Sequence, residues 1–392
     1  MPRPSDSPFH CHVCKVGRVV ENVAFAALPG VTSDTRPWRA GARLGVCANC
    51  NMTVKNIDSS WNDTVKGIYE TYSAYHQSNG AEKISFDQSG GPAEPRSSAL
   101  VRRLTSVIDL PAGARALDIG TGSGVMLRAL SQLRPDLQLW AQDISGHNRA
   151  VLEAIPGFAG LHVGEVSSIK DRYDLVTMIQ VLEHVTDPYA FLVSLRSIIK
   201  EGGALLINIP DAKVNPFDIL IVDHCSHFTL EHLKALAVSA GYEIVLATSD
   251  LLPRELVAVI RPSREPVPAA WPPLRIDVDA YVGWLAGILE KAQSLRQAGP
   301  TAIFGASNAG VWLCGAMPEW YGVFVDEDAN RIGNALLGHR ILAPSEVPAG
   351  TNVFVPLAEE LANKITRRLT RNGVRYIVPE PMRMSGLRGG DA

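Results

Sequence analysis

Four cysteines stand in two closely spaced pairs near the start of the chain. Each pair has the CxxC spacing, which lets two thiolates bind the same metal ion. Two such pairs complete the tetrahedral coordination of one Zn²⁺ ion and leave no position open for water, which predicts a structural rather than a catalytic zinc ion. The predicted ligands are Cys11, Cys14, Cys47 and Cys50. Redox-active dithiols are one alternative, and replacement of one cysteine ligand by His10 or His12 is another.

A glycine-rich segment, LDIGTGSG, runs from Leu117 to Gly124 between an apolar stretch and a helical pattern. Glycine permits main-chain conformations that other residues avoid and lets a ligand approach the backbone closely. Asp118 within this segment can reach the ammonium group of a ligand. Asp143 ends the next β-type run, LQLWAQD, where an acidic residue can accept hydrogen bonds from both hydroxyls of a ribose.

The alternative for this segment is a dinucleotide-binding fold, which uses the GxGxxG spacing and places a diphosphate at the helix N-terminus. The spacing of Gly120, Gly122 and Gly124 is tighter, and the aspartate just before them would repel a diphosphate. Both observations favour the positively charged sulfonium of an adenosyl cofactor.

Histidines that could accept a proton lie at two places in the chain. His184 lies near the end of the run YDLVTMIQVLEHV, and Asp223-His224 opens the segment DHCSHFT. A histidine has a pKa suited to a general base near neutral pH, and His224 is the favoured one. The structural alternative is that both segments only shape loops, with Thr229 as the N-cap of the helix that follows.

The elements that carry these residues alternate in type. From Arg115 onward, short β-type runs alternate with helical ones, which predicts a mostly parallel sheet with helices on both faces. A predicted helix at about Val278 to Gln297 opens a second series of this kind, so a further α/β domain is expected. A Gly/Pro/Ser stretch at 88–98 and a proline-rich stretch at 261–273 mark the candidate linkers.

Composition narrows the class of protein. The net charge of −3 and the lack of a dense Lys/Arg stripe argue against nucleic acid as a partner. No apolar run approaches the ~20 residues that span a bilayer, and the first residues do not resemble a signal peptide. A cytoplasmic protein without a membrane partner is expected, while the oligomeric state stays open.

The segment from Leu117 onward resembles motif I and the following motifs of class I S-adenosylmethionine-dependent methyltransferases. Tyr173-Asp174-Leu175-Val176 resembles the strand before the catalytic loop, and Leu182-Glu183-His184 resembles the LEH that follows it. The resemblance implies that S-adenosylmethionine is the cofactor and that Glu165 lies near its adenine. The cofactor residues expected on this basis are Asp118, Gly120, Thr121, Gly122, Gly124, Asp143, Ile144, Glu165 and Gln180.

Nearly the whole chain resembles the deoxysugar C-methyltransferases that act on nucleotide-linked 3-keto sugars. The shared features are the paired CxxC motifs, an aromatic segment, the methyltransferase core and a terminal GASxxG segment. The resemblance implies a sugar site formed by Tyr72 or Tyr75, His184, Asp223 and His224. The chain departs from that family at Asp223, which replaces a glutamate, and at Ile221 and His227, which replace tyrosines.

The expected architecture is therefore α/β with three parts. These are a zinc-binding module at 1–62, a Rossmann-like methyltransferase domain at 63–262 and a Rossmann-like C-terminal domain at 263–392. Residues 63–98 of the second part form an aromatic acceptor-side segment and linker. The C-terminal domain either walls in the acceptor, with Ser307 and Asn308 facing its cleft, or binds a second nucleotide between Gly305 and Asp326.

The expected activity is methylation of a nucleotide-linked sugar. Methylation at carbon needs a base and a group that stabilises an enolate, whereas methylation of a hydroxyl needs only a base. A methyltransferase for another small natural product is an alternative, and so is a binding or scaffold protein with two Rossmann-like domains.

Overall fold

The computed structural model of this 392-residue chain describes residues 8–72, 82, 84–85, 94–263, 265–297, 299–317, 319–320, 322–370 and 373–384. The strands are β1 Val19–Glu21, β2 Gly30–Val31, β3 Pro37–Trp38, β4 Leu44–Cys47, β5 Thr53–Lys55, β6 Ile84–Ser85, β7 Glu94–Pro95, β8 Arg115–Ile119, β9 Gln138–Asp143, β10 Phe158–Val163, β11 Tyr173–Ile179, β12 Ile199–Pro210, β13 Ser226–His227, β14 Tyr242–Thr248, β15 Glu255–Pro262, β16 Thr301–Phe304, β17 Val323–Val325, β18 Ala335–Leu336, β19 His339–Leu342, β20 Asn352–Phe354 and β21 Arg375–Ile377. The α-helices are α1 Ser59–Glu70, α2 Arg96–Thr105, α3 Val125–Leu133, α4 Arg149–Glu153, α5 Pro188–Leu195, α6 Leu230–Ser239, α7 Val278–Gln297, α8 Asn308–Gly315 and α9 Glu359–Leu369.

The central sheet has seven strands in the order β10-β9-β8-β11-β12-β15-β14. The strands are parallel except β15, which runs antiparallel to both of its neighbours. Because β8 begins the sheet near its middle and the chain winds outward on both sides, the sheet is doubly wound, and the predicted mostly parallel α/β fold is confirmed.

Helices cover both faces of this sheet because side chains alternate along each buried strand. On β12, Leu205 and Ile207 belong to the apolar cluster that includes residues of α5 and α6. The intervening Leu206 belongs to the cluster that includes residues of α2 and α3. All three side chains are fully buried, so β12 lies in the interior of the layered core.

A smaller sheet carries the cysteine pairs and has the order β1-β4-β5-β13. Its strands are antiparallel, and the last of them, β13, comes from the middle of the chain: Ser226 pairs with Val54, and His227 pairs with Thr53. The N-terminal segment is therefore bonded directly to the segment that holds His224.

The C-terminal sheet has six strands in the order β18-β19-β17-β16-β20-β21. Strands β19, β17, β16, β20 and β21 are parallel to one another, as the second alternating series predicts, and the edge strand β18 is antiparallel to β19. Helix α7 precedes this sheet with the predicted bounds, and the chain between β15 and α7 has no helix or strand in its described residues.

The N-terminal segment also packs against the C-terminal sheet. Trp312 on α8 is fully buried and donates a hydrogen bond from its indole nitrogen to the Pro29 carbonyl oxygen at 2.9 Å. At Gly315 a Cβ atom would lie 2.2 Å from Cβ of Pro37, so only glycine fits there. In the described part of the chain, no helix is long and apolar enough to cross a membrane.

Candidate active site

The glycine-rich turn connects β8 to α3 at the carboxyl edge of the central sheet. Gly120, Gly122 and Gly124 have φ angles of 65°, 51° and 79°, in the left-handed region that favours glycine. A Cβ atom on Gly120 would lie 2.6 Å from a methyl group of Val181. The turn therefore touches the segment that leads to His184, which brings the predicted cofactor loop next to the predicted acceptor residues.

Asp143 lies at the end of β9, beside this turn. Its carboxylate accepts hydrogen bonds from the backbone N–H groups of Gly122 and Ser145, both at 3.0 Å. The next side chain, Ile144, is 68% exposed, and Glu165 is also exposed near the same edge. The turn thus holds the carboxylate in place, with an apolar surface beside it.

Asp118 is buried inside the sheet rather than open to solvent. The hydroxyl of Thr177 on the neighbouring strand donates to its carboxylate at 2.6 Å. Burial raises the pKa of Asp118 to about 7, since the charged form loses water. A cationic group bound next to it would favour the ionised form.

Gln180 follows the end of β11 with a φ of 55°, in the left-handed region. Its backbone N–H donates to the carbonyl of Asn208 at 2.7 Å, and its side-chain amide donates to the Asn208 side chain at 3.2 Å. These contacts hold the chain at the sheet edge, where Thr121 is also buried.

His184 and His224 lie face to edge, with ring centroids 4.6 Å apart at 86°. Nδ1 of His184 is 2.9 Å from the Asp223 carbonyl oxygen, which can only accept, so Nδ1 carries the proton. The Tyr69 hydroxyl oxygen lies 3.0 Å from the same nitrogen. Burial and the nearby His224 lower the pKa of His184 to about 4, so this ring is neutral at physiological pH.

Asp218 joins two buried imidazole rings. One carboxylate oxygen lies 2.8 Å from Nδ1 of His224, and the other lies 2.6 Å from Nδ1 of His227. Burial alone would raise the pKa of Asp218, but the two histidines hold it well below its usual range. For His224 burial acts in the opposite direction and lowers the pKa. The nearby Asp218 carboxylate more than offsets this effect, so the pKa of His224 is raised above its usual value. The arrangement leaves Nε2 of His224 as the nitrogen available to take a proton.

Two further groups from the N-terminal segment hold the His224 segment. Ser33 donates to the Asp223 carboxylate from its backbone N–H at 2.9 Å and from its hydroxyl at 2.5 Å. The fully buried ammonium of Lys55 donates to the Ile221 carbonyl oxygen, and burial lowers its pKa to about 8. Ile221 stands where a tyrosine was expected from the family resemblance, and it is buried.

Glu183 lies beside the histidine pair and is almost completely buried. Within the described residues neither of its carboxylate oxygens has a hydrogen-bond partner. Burial raises its pKa to about 8. The combination of a buried carboxyl group and two imidazoles is unusual for a group that serves packing alone.

Among the predicted acceptor residues, the structure brings His184, Asp223 and His224 together. The predicted Tyr72 is 42% exposed and packs its ring on Tyr69 at 5.7 Å, and it is Tyr69 that contacts His184. The predicted Tyr75 lies outside the described residues.

Sequence reasoning missed Tyr69, Asp218 and the unpaired Glu183. The three-residue spacing of Tyr69 and Tyr72 would have placed both on one face if the segment had been predicted as a helix, and this is the signal that could have revealed Tyr69, although α1 itself ends at Glu70.

The four predicted zinc ligands converge on one point. Sγ of Cys11 lies 3.7 Å from Sγ of Cys50, and Sγ of Cys14 lies 3.6 Å from Sγ of Cys47. A zinc tetrahedron with bonds of ~2.3 Å has edges of ~3.8 Å, so these spacings fit the ion. Gly17 is required there, since a Cβ atom would lie 2.2 Å from Sγ of Cys47.

The cysteine group is linked to the acceptor side through His12, which lies between the first two cysteines. Its Nε2 is 2.8 Å from the hydroxyl of Ser226, two residues after His224. His12 is thus a bridge to β13 and not part of the metal group.

The glycine turn of the C-terminal sheet has its own acidic residue, Asp326. Its carboxylate accepts from the backbone N–H groups of Ala306 at 2.8 Å and Asp328 at 2.9 Å, and it pairs with Arg331 at 3.1 Å. Its oxygens are therefore already bonded within the protein. Ser307 is the N-cap residue of α8, and the buried Oδ1 of Asn308 has no hydrogen-bond partner in the described part of the chain.

Residues 93–247 match the family described as a methyltransferase domain. Over 120 residues the chain is 31% identical to the ubiquinone biosynthesis O-methyltransferase of Xanthomonas axonopodis pv. citri (strain 306), covering 29% of this chain and 49% of that protein. The homologue from Cereibacter sphaeroides (strain ATCC 17025 / ATH 2.4.3) is 28% identical over 117 residues, covering 28% of this chain and 47% of that protein. The chain thus spans about half the length of these curated relatives.

A solved structure, that of the mitomycin 7-O-methyltransferase MmcR, aligns with 16% identity and a TM-score of 0.36, covering 43% of this chain and 53% of that one. A TM-score this low carries no argument about function. The matched family and the curated relatives identify residues 93–247 as a class I S-adenosylmethionine-dependent methyltransferase domain.

Proposed function

We propose that the protein transfers a methyl group from S-adenosylmethionine to a nucleotide-linked sugar, with His224 as the base. The observation that carries this proposal is the His184–His224 pair, which stands next to the glycine turn through the contact of Val181 with Gly120. Methyl transfer needs donor and acceptor in line, because the sulfonium already carries the leaving group. The protein must then supply alignment and a proton acceptor.

The cofactor would occupy the edge of the sheet above β8 and β9. Asp143 would accept from the ribose hydroxyls, Ile144 would cover one face of the adenine, and Glu165 would lie near its rim. Asp118 would attract the ammonium group of the methionine part of the cofactor. The cofactor site would be lined by Gly120, Thr121, Gly122, Gly124 and Gln180. The left-handed glycines support this assignment because they leave room for a ligand against the backbone.

On the acceptor side, Nε2 of His224 would take the proton. Its Nδ1–H is held by Asp218, which leaves the other nitrogen free and makes it more basic. His184 is neutral with its proton on Nδ1, so its Nε2 would accept a hydrogen bond from an acceptor hydroxyl, while Asp223 holds the His184 ring. Tyr72 and Tyr75 are proposed to assist, and Tyr69 joins them on the strength of its contact with His184.

The methylated atom is either a carbon beside a keto group or a sugar hydroxyl. Carbon methylation passes through an enolate, and Ile221 offers no hydrogen-bond donor where the resembled family has a tyrosine. Methylation of a hydroxyl needs only the base.

A small natural-product hydroxyl is the second candidate acceptor, which the names of the ubiquinone relatives favour. Under the non-enzymatic alternative, a two-Rossmann scaffold, S-adenosylmethionine would not bind.

The four cysteines are proposed to hold one structural Zn²⁺ ion, which their sulfur spacing supports. Four grouped thiols suit a reducing compartment, so we propose that the protein works in the cytoplasm.

The C-terminal sheet is proposed to wall in the acceptor, with Ser307 and Asn308 toward the cleft. Unlike Asp143, Asp326 also forms an ion pair with Arg331 among the described residues, and this pair argues against a second nucleotide there. The proposed parts remain 1–62, 63–262 and 263–392.

The test is to incubate the protein with S-adenosylmethionine and a panel of nucleotide sugars, including 3-keto deoxysugars, in heavy water. Mass spectrometry would then follow methyl gain and deuterium exchange. A keto sugar that gains one methyl and exchanges hydrogen beside the ketone establishes carbon methylation, and transfer to non-keto sugars alone establishes methylation of a hydroxyl. No transfer to any sugar overturns the sugar proposal, and no binding of S-adenosylmethionine overturns the enzyme proposal.

A further inference from the structure

Glu183 is the buried group that the proposed transfer does not use. It is 1% exposed, and both carboxylate oxygens are without a hydrogen-bond partner among the described residues. A buried carboxyl group of this kind calls for a partner that the polypeptide does not supply.

Two imidazoles stand beside it. One ligand atom each from Glu183, His184 and His224 can be chosen so that all three lie within 4.8 Å of one another. In both rings Nδ1 is already bonded, to Asp223 in one case and to Asp218 in the other. Nε2 of each ring is therefore the nitrogen left for a ligand. Two imidazole nitrogens and one carboxylate oxygen form a ligand set suited to divalent transition metals.

We propose that Glu183, His184 and His224 bind one divalent transition-metal cation, such as Zn²⁺ or Co²⁺, in addition to the ion at the four cysteines. The carboxylate offsets one of the two positive charges of the cation, and the cation supplies the partner that the carboxylate lacks among the described residues. Three protein ligands leave coordination positions open to water or to an oxygen of a bound molecule.

The groups behind the two histidines are those that metal sites use. A metal-bound histidine commonly donates its second N–H to a carboxylate or a backbone carbonyl, which fixes the ring and makes the bound nitrogen a better donor. The Asp223 carbonyl does this for His184 at 2.9 Å, and the Asp218 carboxylate does it for His224 at 2.8 Å. The ring orientations are therefore set before any ion arrives.

This inference goes beyond the proposed function, because binding of the cation needs neither the methyl donor nor the acceptor. It has one consequence for the reaction. The cation would occupy Nε2 of His224, from which the proposed base acts, so a bound cation is expected to inhibit methyl transfer.

The test uses the full-length protein, isolated without chelators, with its metal content measured first. The protein is then titrated with Co²⁺ alone, and bound metal is followed by mass spectrometry and visible absorption. One further Co²⁺ per chain is expected, with a spectrum free of sulfur-to-cobalt charge transfer. Failure of the wild-type protein to take up this second ion overturns the inference.

Variants locate the ion. His224→Gln and Glu183→Gln are expected to lose the second Co²⁺, and His339→Gln, the same change at a histidine of the C-terminal sheet, is expected to keep it. Asp218→Asn, behind the ligand, is expected to weaken Co²⁺ binding ~10–100-fold. Affinity for S-adenosylmethionine, measured on each variant, checks the fold, and His184→Gln replaces any variant that fails this check. Retention of the second Co²⁺ by folded His224→Gln protein overturns the site.

The activity assay separates this inference from the proposed function. Inhibition of transfer by Co²⁺ in the wild-type protein supports both. A rate that rises with Co²⁺ supports the metal site and overturns the role of His224 as a free base. Stoichiometric Co²⁺ binding with no transfer to any acceptor leaves the metal site standing and overturns the proposed function alone.

Discussion

Asp218 bridges His224 and His227, with one carboxylate oxygen 2.8 Å from Nδ1 of the first ring and the other 2.6 Å from Nδ1 of the second. All three side chains are buried, so the carboxylate is held ionised by hydrogen bonds and charge rather than by water. His224 consequently has a fixed orientation and a raised pKa. Both properties suit a group that accepts a proton at one defined atom.

Replacement of His224 by Gln should slow methyl transfer by the ~10²–10⁴ typical of a lost general base. Glutamine keeps most of the side-chain volume but cannot accept a proton at neutral pH. Affinity for S-adenosylmethionine, measured by calorimetry, should stay unchanged because the side chain is not part of the glycine turn. Turnover close to the wild-type value would assign the base to His184 instead.

Replacement of Asp218 by Asn should shift the pH dependence of kcat/KM. The negative charge raises the pKa of His224, so its removal lowers that pKa. A base works in its neutral form, and the rate therefore rises with pH through its pKa; in the variant the rise should occur at lower pH. The same change at the exposed Asp250 serves as the control. An unshifted profile would show that Asp218 does not tune the catalytic group.

Replacement of Tyr69 by Phe should reduce kcat/KM ~2–10-fold, as expected for loss of a hydrogen bond worth ~0.5–1.5 kcal/mol. The hydroxyl lies 3.0 Å from Nδ1 of His184, and no other atom of the ring is altered. Tyr72→Phe, three residues further on, is the comparison and should lower kcat/KM less than Tyr69→Phe, because it is Tyr69 that contacts His184. The opposite ranking of the two variants would restore Tyr72 as the acceptor-side tyrosine.

Replacement of Asp143 by Ala should remove binding of S-adenosylmethionine. Each hydrogen bond from a ribose hydroxyl to the carboxylate contributes ~1.5–3 kcal/mol, so losing two should weaken the affinity ~10²–10⁴-fold. Asp250→Ala is the surface control. Circular dichroism should show an intact fold, and an unchanged affinity in a folded variant would refute the ribose assignment.

Replacement of Cys47 by Ser should lower the zinc content from one ion per chain and reduce the thermal stability of the protein. The effect should extend to the acceptor side, because β5 pairs with β13 and His12 contacts Ser226. Methyl transfer should therefore fall more than affinity for S-adenosylmethionine. The exposed Asn49→Ser change, between the second pair of ligands, is the control. Wild-type protein that is folded yet contains no metal would contradict the zinc assignment.

Local patterns in the sequence were sufficient for several features. The two CxxC spacings predict a shared metal-binding group, and the alternating runs after Arg115 predict a mostly parallel sheet with helices on both faces. Each of these signals is a local pattern of residue types. Helix α7 and the N-cap at Thr229, whose hydroxyl accepts from His232 N–H, follow from local signals as well.

Long-range contacts were beyond such patterns. Strand β13 has two residues and pairs with β5 near the start of the chain, so no periodicity reveals it. Asp218 stands in an apolar run, PFDILIV, and only the fold shows that it faces two histidines. Tyr69 reaches His184 because it lies on the face of α1 that is turned toward that residue, and the sequence analysis did not predict this helix.

Strand β13 completes the N-terminal sheet, and this pairing limits which segments of the protein can be exchanged with those of a relative. A chimaera that exchanged residues 1–62 for those of a relative would place foreign side chains opposite Ser226 and His227. A fragment starting at residue 63 would lose the Lys55 and Ser33 supports of the His224 segment. The cysteine segment is therefore not an independent module, and the acceptor histidines can be moved to another protein only together with that segment.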